Sequence, residues 1–176
     1  MDQKGNAQAL VKRQIVASLD RDFARLHVNA CALIAQTSSE TLYVAPTEEN
    51  TAPAGPSQLP SIGESVLRGA AAVEQTFGGI TANLWDDPFE WTLPEYLSTP
   101  DKVIDHLAEV EATRLRAFSS FTDDGCLQKH IAVPSGGTQT LYQLLLETLD
   151  AATRCEANAR LALKMLSENG TSGFII

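Results

Sequence analysis

The sequence predicts an all-α protein, a four-helix bundle with long crossing loops. Three observations carry this. Four stretches place apolar residues at alternating steps of three and four, the spacing of one helix face. The later three stretches open on serine or threonine, residues suited to cap a helix start. No alternation of strand and helix runs along the chain, and there is no internal repeat.

The first helix is expected over residues 7–36, with Ile15, Leu19, Phe23, Leu26, Ala30 and Leu33 as its seam. Thr37, Ser38 and Ser39 interrupt it, and a short turn follows at 40–44. Residues 45–60 contain Pro46, Pro53, Pro56 and Pro60. Proline lacks the backbone donor and clashes with the preceding turn, so this stretch is read as a crossing loop inside one domain. The second helix runs from Ser61 to about residue 82. Ser61-Ile62-Gly63-Glu64 has the pattern of a capping box, in which the serine accepts from the chain and Glu64 reaches back. Ile62, Val66, Gly69/Ala70, Val73 and Phe77 form its buried stripe, and Gly69, Ala70, Ala71 and Ala72 let a neighbouring helix come close.

Residues 83–99 read as a loop rich in aromatics, prolines and acids: Trp85, Asp86, Asp87, Pro88, Trp91, Pro94 and Tyr96. The third helix is opened by Thr99, with Pro100 in the first turn, where its missing N–H has no helical partner to lose. Val103, Leu107, Val110, Arg114 and Ala117/Phe118 mark its inner face to about residue 121, and Thr122-Asp123-Asp124-Gly125 ends it. Residues 129–133 have brief strand character before a Pro134–Gly137 turn. The fourth helix begins near Thr138 or Thr140, with Thr140 and Gln143 as a second capping box. Leu141, Leu144/Leu145, Thr148, Ala152, Cys155, Ala159, Ala162 and Leu166 hold the stripe, and Gly170 is a natural stop. Residues 1–176 are thus read as one domain, with loop 45–60 internal and a tail from 170.

Composition bounds the function. Apolar residues make up 44% and charged residues 20%, an ordinary globular mixture. The net charge of −9, with no basic cluster on any one element, argues against nucleic acid and against an anionic membrane surface. No stretch approaches the roughly 20 apolar residues of a membrane span, and the first residues lack the apolar run of a secretory signal. The expected compartment is the cytoplasm. Cys31, Cys126 and Cys155 are odd in number and widely spaced, which reads as reduced thiols rather than a disulfide framework.

Three motifs add a resemblance. They are a Ser-Ser-Glu-Thr-Leu turn after the first helix, Ser-Ile-Gly-Glu-Ser-Val-Leu-Arg after the proline-rich run, and Pro-Ser-Gly-Gly-Thr-Gln-Thr-Leu into the last helix. Together they resemble the DinB-like (YfiT-like) superfamily over most of the chain. The resemblance implies a four-helix bundle whose members mostly hold a divalent metal through three histidines and act as hydrolases or thiol-dependent transferases. The matching positions here are Arg68, Ala151 and Cys155. No two of His27, His106 and His130 are four residues apart, so the paired histidines of the last helix have no counterpart. Alanine has no donor atom, and a guanidinium repels a cation. The resemblance therefore implies a cleft with no metal and no other cofactor.

The residues leave several readings of that cleft. Arg68 either holds an anionic ligand by paired hydrogen bonds, or pairs with Glu147, Asp150 or another acid, or points outward. Cys155 is a small core residue or, beside Arg68 or His27, a nucleophile. His27 and His106 flank the seams of the first and third helices, and His130 lies near solvent. Trp85, Asp86, Asp87, Trp91 and Tyr96 either line a cleft mouth or cap the bundle end. Glu109, Glu111, Glu147, Asp150 and Glu156 are read as solvated faces, since no histidine stands three residues after a glutamate, as a carboxylate-bridged metal site requires. The leading expectation is a metal-free DinB-like protein binding a small ligand, anionic or otherwise, or a protein partner, with Arg68, Glu147, Ala151, Cys155 and His27 as the cleft. The alternatives are a remodelled hydrolase or thiol-dependent transferase using Cys155, and a structural homodimer packed through bundle faces.

Overall fold

The computed structural model describes residues 12–46, 59–86, 95–134 and 136–171. Four helices dominate it: α1 (Gln14–Ala35), α2 (Ile62–Ala82), α3 (Pro100–Ser120) and α4 (Leu141–Thr171). A 3-10 turn at Asp124–Gln128 and a two-stranded antiparallel hairpin, β1 (His130–Ala132) and β2 (Thr138–Thr140), link α3 to α4. Among the described residues no helix is long and apolar enough to cross a membrane.

The core falls into two clusters that set the helix directions. Val16, Leu19 and Phe23 at the start of α1 meet Phe77 at the end of α2, Phe118 at the end of α3 and Leu141 and Leu145 at the start of α4. Leu33 and Ile34 at the other end of α1 meet Ile62, Val66, Val103, Leu107, Ala159 and Ala162. Hence α2 and α3 run one way, and α1 and α4 the other. The first cluster is aromatic. Phe23, Phe77 and Phe118 lie 5.3–5.8 Å apart between ring centroids, edge-on or tilted, the arrangement ring quadrupoles prefer.

Several boundaries differ from the sequence reading. Within the described residues the first helix starts at Gln14, and its seam begins at Val16, which is fully buried, whereas Ile15 is 47% exposed. Both residues satisfy a three-or-four step from Leu19. A distant residue decides the choice: Asp124 accepts from the backbone N–H groups of Ile15 and Val16 at 3.1 and 2.9 Å, capping a helix whose own N-cap, Arg13, supplies no side-chain bond. Thr138–Thr140 pairs with His130–Ala132 as a strand, so α4 starts at Leu141, with Thr140 Oγ1 accepting from the Gln143 N–H at 3.2 Å. Gly136 and Gly137 turn the hairpin at φ +83 and +109, a region that favours glycine. The last helix runs on through Gly170 to Thr171. The prolines at 53 and 56 and the aromatic-loop residues Asp87, Pro88, Trp91 and Pro94 lie outside the described residues.

The small residues of α2 serve packing within the chain. A Cβ added at Gly69 would sit 3.2 Å from Cys155 Cβ on α4. Gly63 is held closer still: its N–H donates to Leu42 O at 2.8 Å, and a Cβ there would meet the Tyr43 ring at 2.7 Å. Tyr43 in turn donates to Leu97 O at 2.6 Å, and burial pushes its phenol up to about 12.

Candidate functional site

Between the two core clusters the helices do not close completely. About 520 Å³ of empty space, part of it open to solvent, lies among all four helices. The walls are mainly apolar: Phe23, Leu26 and Ala30 from α1, Val66, Ala70 and Val73 from α2, Leu107 and Val110 from α3, and Ala152 from α4. The polar groups on the wall are Ser65, Glu111, Arg114, Glu156, His27 and Cys155.

Arg114 is the strongest of them and is only 2% exposed. Its Nε and Nη2 donate to the two oxygens of Glu111 at 2.7 Å each, a bidentate fork, while Nη1 donates to the Asp20 carboxylate. The guanidinium also lies over the Phe118 ring, 5.3 Å from its centroid. Burial alone would lower its pKa, but the bonds to Glu111 and Asp20 outweigh that and raise it, so the group stays charged. A buried charge persists only with such compensation. The inner-face pattern of α3 already placed Arg114 inward, but nothing in the local sequence named it as a site residue. Its two acids come from three residues upstream and from α1.

Glu156 is the second polar wall. Its Oε1 accepts from Asn29 Nδ2 at 3.0 Å and from Arg160 at 2.6 and 2.8 Å. Glu111 and Glu156 are 17% and 16% exposed, which corrects the expectation that these acids lie on solvated faces; Glu109, Glu147 and Asp150 do lie there. Ser65 is 2% exposed, and its Oγ has no hydrogen-bond partner among the described residues.

The other expected residues separate. His27 lines the cavity, with Cys31 Sγ 3.8 Å from its Nε2. Cys155 lines it too, but burial pushes its thiol up, and the nearby Arg68 and Arg154 pull it down by less. That is a protonated thiol at neutral pH, not an activated nucleophile. Arg68 is outside the lining. Its side chain is 51% exposed and donates to Glu64 at 2.9 and 3.2 Å one turn back. The Ser61 half of the expected capping box forms at 3.2 Å, while the Glu64 carboxylate turns forward to Arg68. Glu147 is exposed and bonded to Gln139 and Gln143, and Ala151 is half-buried outside the lining. His106 faces Glu74 at 3.9 Å, and His130 is exposed. Trp85 packs against Gly79 on α2, Tyr96 is 70% exposed, and neither lines the cavity.

Among the described residues no group of three His, Cys, Asp or Glu is placed to hold a metal ion. No protein-family model matches the chain, and neither a curated protein nor a solved structure does.

Proposed function

We propose that this chain is a small-ligand-binding bundle of DinB-like type that works without a metal, with its ligand in the mid-bundle cavity. One observation carries the reading. Ser65 is almost fully buried on the cavity wall with its hydroxyl unpartnered. Leaving a hydroxyl without a partner costs about 1–3 kcal/mol, and a ligand that bonds it removes that cost. The apolar walls with a few convergent polar groups support the same reading. The metal-free part rests on the donor chemistry of Arg68, Ala151 and Cys155, where the family's ligands would stand. The anionic ligand expected from Arg68 gives way to a neutral or cationic one, because Arg68 lies outside the lining and Arg114 already carries two carboxylates.

Cys155 makes the test direct. Occupancy of the cavity should slow its labelling by a small thiol reagent, and a stabilising ligand should raise the melting temperature with the logarithm of its concentration over Kd. A fragment library that neither protects Cys155 nor shifts melting would overturn the binding reading. One equivalent of tightly held metal in protein purified without added ions would overturn the metal-free part.

A further inference from the structure

The ligand's chemical class follows from the charges around the cavity, given the binding reading above. We infer that the site takes a small aliphatic amine, its ammonium on Glu156 and Ser65 and its carbon chain against the apolar walls.

The charges favour a cation. Arg114 is matched by two carboxylates, Glu111 and Asp20. Arg160, Arg68 and Arg154 each carry one carboxylate of their own helix, Glu156, Glu64 and Asp150. On the cavity lining itself, among the described residues, two carboxylates, Glu111 and Glu156, stand against one guanidinium, Arg114, which is already engaged. Arg160 is 53% exposed and so is screened by solvent, whereas Glu156 is 16% exposed. Glu156 Oε1 takes the bonds from Asn29 and Arg160, and Oε2 takes none among the described residues.

The helix register places Ser65 and Glu156 along the same stretch of the α2–α4 pair, and both line the cavity. Thr76 meets Thr148 and Gly69 meets Cys155 across the antiparallel α2–α4 pair. The same register sets Ser65 opposite Ala159, which lies on the face of Glu156, about one turn along. An ammonium has three donors and no acceptor. It matches a carboxylate and a hydroxyl that line one cavity from neighbouring helices, and a carboxylate ligand does not.

The test is a backbone-amide NMR titration of the full chain with butylamine, butan-1-ol and butyrate. The expected result is saturable shifts at cavity residues with butylamine, weaker binding of butan-1-ol and none of butyrate. Glu156→Gln should weaken butylamine roughly tenfold or more, the value of a charge-assisted hydrogen bond, and weaken butan-1-ol by a smaller factor. Ser65→Ala should weaken butylamine by a smaller factor. Butan-1-ol binding as tightly as butylamine, or butylamine binding undiminished in Glu156→Gln, would overturn the amine and leave the cavity reading standing. Tighter butyrate would do the same. No binding by any of the three would sink both.

Discussion

Thr76 and Ser65 lie on the same helix, α2, about three turns apart. Both are small hydroxyl residues, 6% and 2% exposed, and their bonding is opposite. Thr76 Oγ1 is 2.7 Å from Thr148 Oγ1, and Thr148 donates onward to Leu144 O at 2.8 Å, a closed chain with every hydrogen placed. Ser65 lines the cavity, and its hydroxyl has no partner among the described residues. One turn of the bundle has its polar groups tied off by its own residues and sealed beside an aromatic cluster. The other keeps a group open where the helices part. Buried polar groups are normally paired; among the described residues Ser65 Oγ, Arg13 Nε and Glu74 Oε2 are not, and of these three residues Ser65 is the one on the cavity lining.

The largest effect that sharpens this contrast belongs to Arg114, the paired charge of the cavity wall. Arg114→Met leaves Glu111 and Asp20 without their cation and should cost about 3 kcal/mol in a urea melt, the low end for breaking a buried ion pair because both acids keep some water. A cost under about 1 kcal/mol would mean that the acids rehydrate freely. Next comes the closed hydroxyl chain. Thr148→Val strands the Thr76 hydroxyl and should cost about 1–3 kcal/mol, and adding Thr76→Val should recover most of it, since removing both partners is nearly neutral. Failure of the double substitution to recover stability would place the loss in packing. Ser65→Ala, by contrast, should leave stability unchanged or raise it by up to about 1 kcal/mol.

The smallest effect is chemical. Because burial holds the Cys155 thiol above its ordinary pKa, its thiolate fraction is low at neutral pH and grows only as pH rises through the raised value. Labelling should therefore be slow at pH 7 and accelerate strongly in the alkaline range. Rapid labelling at neutral pH, lost in Cys155→Ser, would contradict this and restore the thiol-enzyme reading.

Much of the bundle was legible in the residues, because three-and-four spacing and hydroxyl caps act locally. The inner faces of α2 and α3 and the cap residues Ser61, Thr99 and Thr140 follow from such signals. What was not legible depended on distant partners. The shift of the α1 seam from Ile15 to Val16 comes with a cap supplied by Asp124. Thr138–Thr140 becomes a strand because His130–Ala132 lies within reach. At the site, His27 and Cys155 were legible from their stripes. Of the readings open for Arg68, the structure takes the one in which it pairs with an acid, Glu64 one turn back, outside the lining. Ser65 left no signal at all, since a missing partner has no sequence pattern.

The comparison between the two hydroxyls is tested most directly by the unfolding free energy of Ser65→Ala beside wild type, with and without saturating butylamine. The account predicts that the variant without ligand is at least as stable as wild type, and that butylamine stabilises it less than it stabilises wild type. A variant that loses stability without ligand, and then gains as much from butylamine as wild type does, would contradict it. The Ser65 hydroxyl would then belong to the fold, as that of Thr76 does.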